Sequence, residues 1–122
     1  MRKENILLDK SFAFSLRIIK VYKYLTEYKR EYVLSKQLLR SGTSIGSNAE
    51  EGNAAQSKND FISKLQISYK ESHETHYWIR LMRDSGFIEN KSANSLLSDL
   101  EELIKLLRVI LQKTKEGVKN SN

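Results

Sequence analysis

Residues 38–52 read LLRSGTSIGSNAEEG, and the fold depends on how this segment is interpreted. Its glycines and serines are typical of a loop that binds phosphate. Yet residues suited to one face of a helix recur at spacings of three or four, namely Leu38, Ser41, Ile45, Asn48 and Gly52. A phosphate-binding loop needs a preceding strand and either GxGxxG or a glycine-rich run ending in Lys-Ser/Thr, and neither pattern occurs here. The segment therefore predicts a helix, with no nucleotide site.

This predicted helix is made largely of small side chains. Each glycine inside a helix costs about 1 kcal/mol relative to alanine, so we expect the close approach of another helix to offset that cost. Buried hydroxyl and amide groups there would need hydrogen-bond partners. We interpret the helix as a tight, polar packing seam formed by Ser41, Gly42, Ser44, Ile45, Gly46, Asn48 and Glu51.

The remaining sequence predicts three more helices. Periodicity predicts helices over about 9–28, 32–51, 58–85 and 92–115, followed by a polar tail that frays. The first carries a broad apolar arc: Phe12, Phe14, Leu16, Ile18, Ile19, Val21, Tyr22 and Leu25. The last repeats apolar residues at spacings of four and three: Leu96, Leu100, Leu103, Leu107 and Ile110.

Residues that begin and end helices support these boundaries. Asp9 or Ser11 could cap the first helix, Gly52 is placed to follow the second, and Ser57 is placed to cap the third. Gly86 suits the left-handed position that ends the third helix. Because the chain has no proline and the links are short, we predict one domain over 1–122, an all-α antiparallel up-down-up-down four-helix bundle.

Composition limits the setting and the partners. The 122 residues contain no cysteine, and no apolar run approaches the roughly 20 residues that cross a bilayer, so we expect a cytoplasmic protein with no membrane partner. The formal charge is +6, and an excess of that size lies in residues 10–40. Its cations are Lys10, Arg17, Lys20, Lys23, Lys29, Arg30, Lys36 and Arg40. They could bind phosphates, or they could form an ordinary solvated surface.

The chemistry-bearing residues do not form an enzyme motif. The two histidines, His73 and His76, lack the Glu-x-x-His pairs of a di-iron bundle, and no third ligand for a zinc or copper ion is evident. Whether this histidine pair binds metal stays open. We predict no catalytic residue, no cofactor and no small-molecule substrate.

The third predicted helix has a second apolar face. Besides its core face, it carries Ile67, Tyr77, Trp78 and Leu81 on another side, flanked by Glu71 and Glu74. Aromatic residues are enriched in subunit interfaces, so we predict that these six residues form one. The alternative is that the core surrounds more of this helix than usual.

Three segments resemble a known family: RSGTSIGSNAEEG, SKNDFISKL and KESHETHYWIRLMRDSGFI. They look like the four-helix-bundle proteins encoded within intervening sequences of bacterial 23S ribosomal RNA genes. The shared positions are Arg40, Ser44, Ile45, Asn48, Glu51, Gly52, Phe61, Glu74, Tyr77, Trp78, Gly86 and Phe87. Members commonly have Asn-Ile-Ala-Glu-Gly where this chain has NAEEG at 48–52, which removes apolar volume at Ala49.

The resemblance implies a fold and a mode of assembly, but no activity. It implies a four-helix bundle that assembles into a ring-like homo-oligomer, a pentamer, with no established enzymatic activity. A related group serves as the accessory protein of reverse transcriptases in diversity-generating retroelements, where a basic ring surface engages nucleic acid. We therefore expect a non-enzymatic protein that binds RNA or a nucleic-acid enzyme through the eight cations of residues 10–40. The alternative is a structural or regulatory protein–protein interaction module that binds no nucleic acid.

Overall fold

The computed structural model describes residues 3–121, and side chains over 6–119. It contains four α-helices: α1 (Lys3–Glu27), α2 (Leu34–Asn53), α3 (Lys58–Asp84) and α4 (Asn90–Ser121). Residues 3–121 include no strand, which confirms the prediction of an all-α fold. Residues 38–52 lie wholly within α2, so the loop interpretation of this segment is wrong.

The helices form a four-helix bundle. Helix α1 packs on α2 and α4, and α3 packs on the same two helices. Over residues 3–121, α1 and α3 do not contact each other, so they lie across the bundle from one another. Each of them therefore has an outer face that no other helix of this chain covers.

Every helix contributes to one core. The leucine and isoleucine repeat of α4 is buried along its length, from Leu96 to Ile110, and Phe14, Leu38 and Ile79 meet it from the other helices. Burying an aliphatic or phenyl side chain of this size stabilises the fold by about 1.5–3 kcal/mol. The predicted repeat thus forms the main apolar contribution of α4.

Helices α1 and α4 are longer than their patterns predicted. Helix α1 begins at Lys3 because Leu7, 2 % exposed, extends its buried face beyond the expected start at Asp9. Ser11 is accordingly no cap; it is buried, and its Oγ donates to the carbonyl of Leu8 at 3.2 Å. Helix α4 continues to Ser121, through the tail expected to fray, because half-buried Val118 extends its apolar stripe.

The links near α3 follow ordinary capping chemistry. Ser57 Oγ accepts a hydrogen bond from the Asp60 N–H at 3.1 Å, which confirms the predicted start of α3. Gly86 has φ 87°, and the N–H groups of Phe87 and Ile88 donate back to the Met82 carbonyl, so the left-handed ending is also confirmed. Gly52 differs from expectation, because it lies inside α2 and not after it.

Among the helices over residues 3–121, none is both long and apolar enough to cross a bilayer.

Candidate nucleic-acid interface and neighbouring surfaces

The two glycines of the seam lie against α1. A Cβ built on Gly42 would lie 2.8 Å from Cγ1 of Ile18, closer than side-chain atoms normally approach. A Cβ on Gly46 would lie 3.3 Å from the backbone oxygen of Ser11. The absence of a side chain at these two positions therefore allows α1 and α2 to pack closely.

The Ser41 hydroxyl and the Ile45 carbonyl of the seam lie against hydroxyl groups of α3. Ser68 Oγ donates to the carbonyl of Ile45 at 2.7 Å, and Thr75 Oγ1 lies 2.9 Å from Ser41 Oγ. All three hydroxyl-bearing side chains are fully buried. Every described buried side-chain nitrogen or oxygen has a hydrogen-bond partner, so this polar contact costs no unpaired group.

The other seam residues use different partners. Ser44 Oγ donates to the carbonyl of Arg40 at 2.6 Å, and Asn48 Nδ2 donates to the carbonyl of Ser44 at 2.9 Å. Both are half-buried and bond within α2. Glu51 is exposed and forms an ion pair with Lys64 of α3 at 2.8 Å. The side chains of Ser44 and Asn48 thus find their hydrogen-bond partners within α2 and form none with another helix.

A charged network joins α2 to α3 at the surface. Arg40 Nη1 lies 3.2 Å from both carboxylate oxygens of Glu71, and its Nη2 donates to Glu74. Trp78 Nε1 donates to the same Glu74 carboxylate at 3.0 Å. The hydrogen bond from Trp78, followed by that from Arg40, holds the pKa of Glu74 below its usual value against the opposing effect of burial. The hydrogen bond to Glu74 likewise raises the pKa of Arg40. This network neutralises Arg40 within the chain.

The predicted subunit interface on α3 divides into two parts. Trp78 is half-buried and packs against the core, as the alternative interpretation expects. Ile67, Tyr77 and Leu81 are 40, 49 and 37 % exposed, and they form an outward apolar face. The guanidinium of Arg80 lies 5.9 Å from the centre of the Tyr77 ring. We call Ile67, Tyr77 and Leu81 the α3 outer face.

Helix α1 has a second outward apolar face that sequence reasoning missed. Phe12, Leu16 and Ile19 are 62, 54 and 39 % exposed, at helical spacings of four and three. They belong to the predicted broad apolar arc of α1, of which Phe14, Ile18 and Leu25 alone are buried. The width of the arc could have predicted the exposed residues, because eight residues spread so widely around one helix cannot all face the core. We call Phe12, Leu16 and Ile19 the α1 outer face.

Three of the eight predicted cations are neutralised inside the chain. Lys10 Nζ lies 3.1 Å from Glu102, and Arg17 lies 2.6 Å from Asp99 and also donates to Ser95. Arg40 is held by the network described above. These cations connect helices and are poorly placed to neutralise a phosphate.

The other five cations lie within 17 consecutive residues, 20–36, and form no ion pair with any described side chain. All are exposed, at the end of α1, in the α1–α2 link and in the first turn of α2: Lys20, Lys23, Lys29, Arg30 and Lys36. Residues 20–36, which we call the cationic segment, carry these five positive charges against Glu27 and Glu31, so 5 − 2 = +3.

One of the two acidic residues, Glu31, accepts hydrogen bonds from the backbone at the start of α2. The carboxylate of Glu31 accepts hydrogen bonds from the N–H groups of Val33, Leu34 and Ser35 at 3.2, 3.0 and 2.7 Å. Burial raises the pKa of Glu31, but these backbone donors outweigh it and the pKa is lowered. Because Glu31 caps the orphan donors at the start of α2, it leaves Lys29 and Arg30 unneutralised.

Exposed tyrosines alternate with these cations. Tyr24, Tyr28 and Tyr32 are 42, 78 and 51 % exposed, and the ring centres of the first two are 5.9 Å apart. Residues 22–32 read YKYLTEYKREY, so this alternation of tyrosines and cations is already present in the sequence. Tyr24 also lines a surface cleft of about 340 Å³ with Lys20 and Ile88.

The histidines are engaged in side-chain contacts. His76 Nε2 lies 3.0 Å from Glu101 Oε2, and Arg80 Nε donates to His76 Nδ1 at 2.9 Å. His73 packs edge-on against Tyr69 at 4.8 Å between ring centres. The described side chains include no group of three or more histidines and carboxylates that could hold a metal ion.

The fold places the chain among the four-helix-bundle proteins. Residues 3–109 match the family model described as 23S rRNA-intervening sequence protein, and the chain belongs to that family. It is also similar to a crystal structure of a protein with unknown function from the S23 ribosomal protein family of Bacteroides thetaiotaomicron. That likeness has a TM-score of 0.89 and 45 % identity, and covers 91 % of this chain and 99 % of the other. No curated protein matches significantly.

Proposed function

We propose that this family member is a non-enzymatic RNA-binding protein that contacts phosphates through the cationic segment. The observation that carries the proposal is the set of five exposed cations without an ion pair among the described side chains. Phosphate contacts supply most of the sequence-independent affinity of nucleic-acid-binding proteins, and they need cations that are not already neutralised. Lys10, Arg17 and Arg40, which have carboxylate partners, are left out of this interface.

Salt dependence measures the number of phosphates neutralised. If all five cations contact phosphates, the slope of log affinity against log salt is about −4.5 on a duplex and about −3.5 on a single strand. Exchanging Lys29 and Lys36 for glutamine removes two contacts and reduces the steepness of that slope by about 1.4 on a single strand and about 1.8 on a duplex. The stability of the fold should change little, because both side chains are exposed.

The test is fluorescence anisotropy with a hairpin from 23S rRNA at two salt concentrations. A matched control exchanges Lys105 and Lys113, two exposed lysines on α4, for glutamine. We expect the Lys29/Lys36 variant to bind more weakly and the α4 variant to bind like the wild type. No binding at low salt would refute the proposal in favour of a protein–protein interaction module. Equal losses in the two variants would refute the cationic segment as the RNA site, because they would show that RNA responds to positive charge anywhere on the surface.

We also propose that the protein assembles head to tail. The α1 and α3 outer faces lie on helices that do not contact each other, so the α1 outer face of one copy can meet the α3 outer face of the next. Such unlike contacts close into a ring when the rotation between neighbouring copies permits, and the family resemblance suggests a pentamer.

Within one chain, an antiparallel bundle is supported by the ion pairs Lys10–Glu102 and Arg17–Asp99. The residue later in α1 pairs with the residue earlier in α4, as expected when the two helices run in opposite directions.

A mixing experiment tests this arrangement. Leu16→Glu removes the α1 outer face and Tyr77→Glu removes the α3 outer face, so each variant alone should be monomeric by light scattering. Mixed together, they should form a heterodimer, because each retains the face that the other has lost. A monomeric wild type refutes assembly, and a mixture that stays monomeric refutes the head-to-tail arrangement.

A further inference from the structure

The tyrosines of the cationic segment are an unexplained feature of the surface. Tyr24, Tyr28 and Tyr32 expose large rings to solvent within nine positions of the chain, and no described residue hydrogen-bonds their hydroxyls. Their rings do not fill the core, and a solvated surface has no need of three neighbouring aromatic side chains.

We propose that these three tyrosines are stacking platforms for unpaired bases, so that the cationic segment selects single-stranded nucleic acid over duplex. The inference rests on the proposed function and specifies its substrate class. Every base has a flat face that can stack on an aromatic ring, but in a duplex those faces are covered by neighbouring bases. A surface of cations alone, by contrast, binds duplex and single strand through the same phosphates.

The placement of cations around the rings suits a single strand. Lys20 lies one helical turn before Tyr24 and shares its cleft, while Lys29 and Arg30 directly follow Tyr28. A phosphate bound by these cations would therefore bring the adjoining base within reach of a ring. The cleft next to Tyr24 has an apolar side formed by Val21 and Ile88, which favours a base over a second phosphate.

The opposing charges are few. Glu89 lines the cleft of Tyr24, Glu27 lies one turn after Lys23, and Glu31 lies between Arg30 and Tyr32; all three repel phosphates. Glu89 can instead accept hydrogen bonds from the amino group of an exposed base, a group that a carboxylate recognises on cytosine. A stacked base at Tyr24 is thus compatible with the carboxylate at the rim.

The tyrosines are distinct from the α1 outer face. At 100° per residue, Tyr24 lies about 100° around α1 from the line through Phe12, Leu16 and Ile19, on the side that faces the α3–α4 link. A neighbouring subunit seated on the α1 outer face would lie against Lys20 and Lys23, which line a surface pocket with Leu16 and Ile19, but on a different side of α1 from Tyr24. The rings and the α1 outer face can therefore be tested independently.

The experiment compares one sequence as single-stranded RNA, single-stranded DNA and blunt RNA duplex, by anisotropy at fixed salt. The variants are Tyr28→Ala, the triple exchange of all three tyrosines to alanine, and the triple exchange to phenylalanine as a matched control. We expect the wild type to prefer single strands. Tyr28→Ala should bind single strands about fivefold or more weakly than the wild type does. The triple phenylalanine variant should bind single strands like the wild type, because phenylalanine retains the stacking face. The salt slope should stay unchanged, because no cation is removed.

The outcomes separate this inference from the proposed function. Equal binding of duplex and single strand, with no effect of the alanine exchanges while the Lys29/Lys36 variant still loses affinity, overturns the stacking site and leaves RNA binding standing. A change in molecular mass on Tyr28→Ala means that the rings contact protein, and also overturns it. Absence of binding to all three probes overturns both. Because Tyr28 is 78 % exposed, Tyr28→Ala removes few contacts within the fold and should fold like the wild type.

Discussion

Adding one methyl group at Gly42 should destabilise the protein, although alanine is the better helix former. Alanine in place of glycine gains about 1 kcal/mol within a helix. The new Cβ, however, would lie 2.8 and 2.9 Å from Cγ1 and Cγ2 of Ile18, a side chain that is fully buried. Both atoms are attached to the branch point of Ile18, and isoleucine in a helix strongly prefers one χ1 rotamer, so relieving the contact requires an unfavourable rotamer or a shift of α1. Overpacking of this kind costs about 1–3 kcal/mol, so the net loss is about 1 kcal/mol.

A double-mutant cycle isolates the clash. Ile18→Ala removes both γ carbons and by itself costs about 2–5 kcal/mol. In that background Gly42→Ala has room for its methyl group and should recover about 1 kcal/mol, which gives a coupling of about 2 kcal/mol between the two positions. Gly117→Ala is the matched control, because a Cβ at Gly117 would meet nothing within 4 Å. It should stabilise α4 by up to about 1 kcal/mol.

The assay is urea denaturation at one fixed protein concentration, because assembly would make stability depend on concentration. A loss of about 1 kcal/mol corresponds to a fall in melting temperature of about 4 °C for a chain of this size. The reasoning is refuted if Gly42→Ala stabilises the protein as much as Gly117→Ala, or if the cycle gives no coupling. Either result would mean that α1 and α2 are not held at the close approach described.

Three further predictions concern buried hydroxyls, pH and backbone strain. Thr75→Val keeps the shape of the side chain but removes the hydroxyl that lies 2.9 Å from the buried Ser41 Oγ. The free energy of unfolding should therefore fall by about 1–2 kcal/mol. Thr114→Val, at a half-buried position on α4, is the control and should cost less. Glu31→Gln should destabilise the protein near pH 7 by about 1 kcal/mol through a weakened cap. Because folding lowers the pKa of Glu31, that contribution is present above the unfolded pKa and is lost as pH falls through the folded value, so the denaturation curves of the two proteins should converge at a pH below the folded pKa. Arg30→Gly should leave stability unchanged or raise it by up to about 1 kcal/mol, because Arg30 has φ 52°, while RNA affinity and its salt slope both decrease. A pH-independent Glu31→Gln difference, a neutral Thr75→Val, or an Arg30→Gly variant that binds RNA like the wild type would each contradict the corresponding argument.

Much of the fold was predictable because helical periodicity is a local property. The stripe from Leu96 to Ile110, the cap at Ser57 and the turn at Gly86 all follow from residues within a few positions of one another, and the structure confirms each. Helix ends were less predictable. Both α1 and α4 extend further because one apolar residue beyond the predicted end, buried Leu7 or half-buried Val118, continues the apolar stripe of its helix.

The candidate site was predicted only as a region. Composition located the excess of positive charge in residues 10–40, but could not say which cations were available. The width of the apolar arc on α1 likewise hid the difference between a buried Phe14 and an exposed Phe12. Two neighbours on one helix can have opposite environments, and the direction of the core decides between them.

The sequence alone determined that the chain forms four helices and that α2 carries the small residues needed for close packing, because backbone preference and apolar spacing act over one or two turns. Only the tertiary structure decided which charges remain for a partner. Lys10 meets Glu102 across 92 positions of sequence and Arg17 meets Asp99 across 82, whereas Lys29 and Arg30 find no carboxylate among the described side chains. Ion pairing depends on distances of a few ångströms in space, which no local pattern contains.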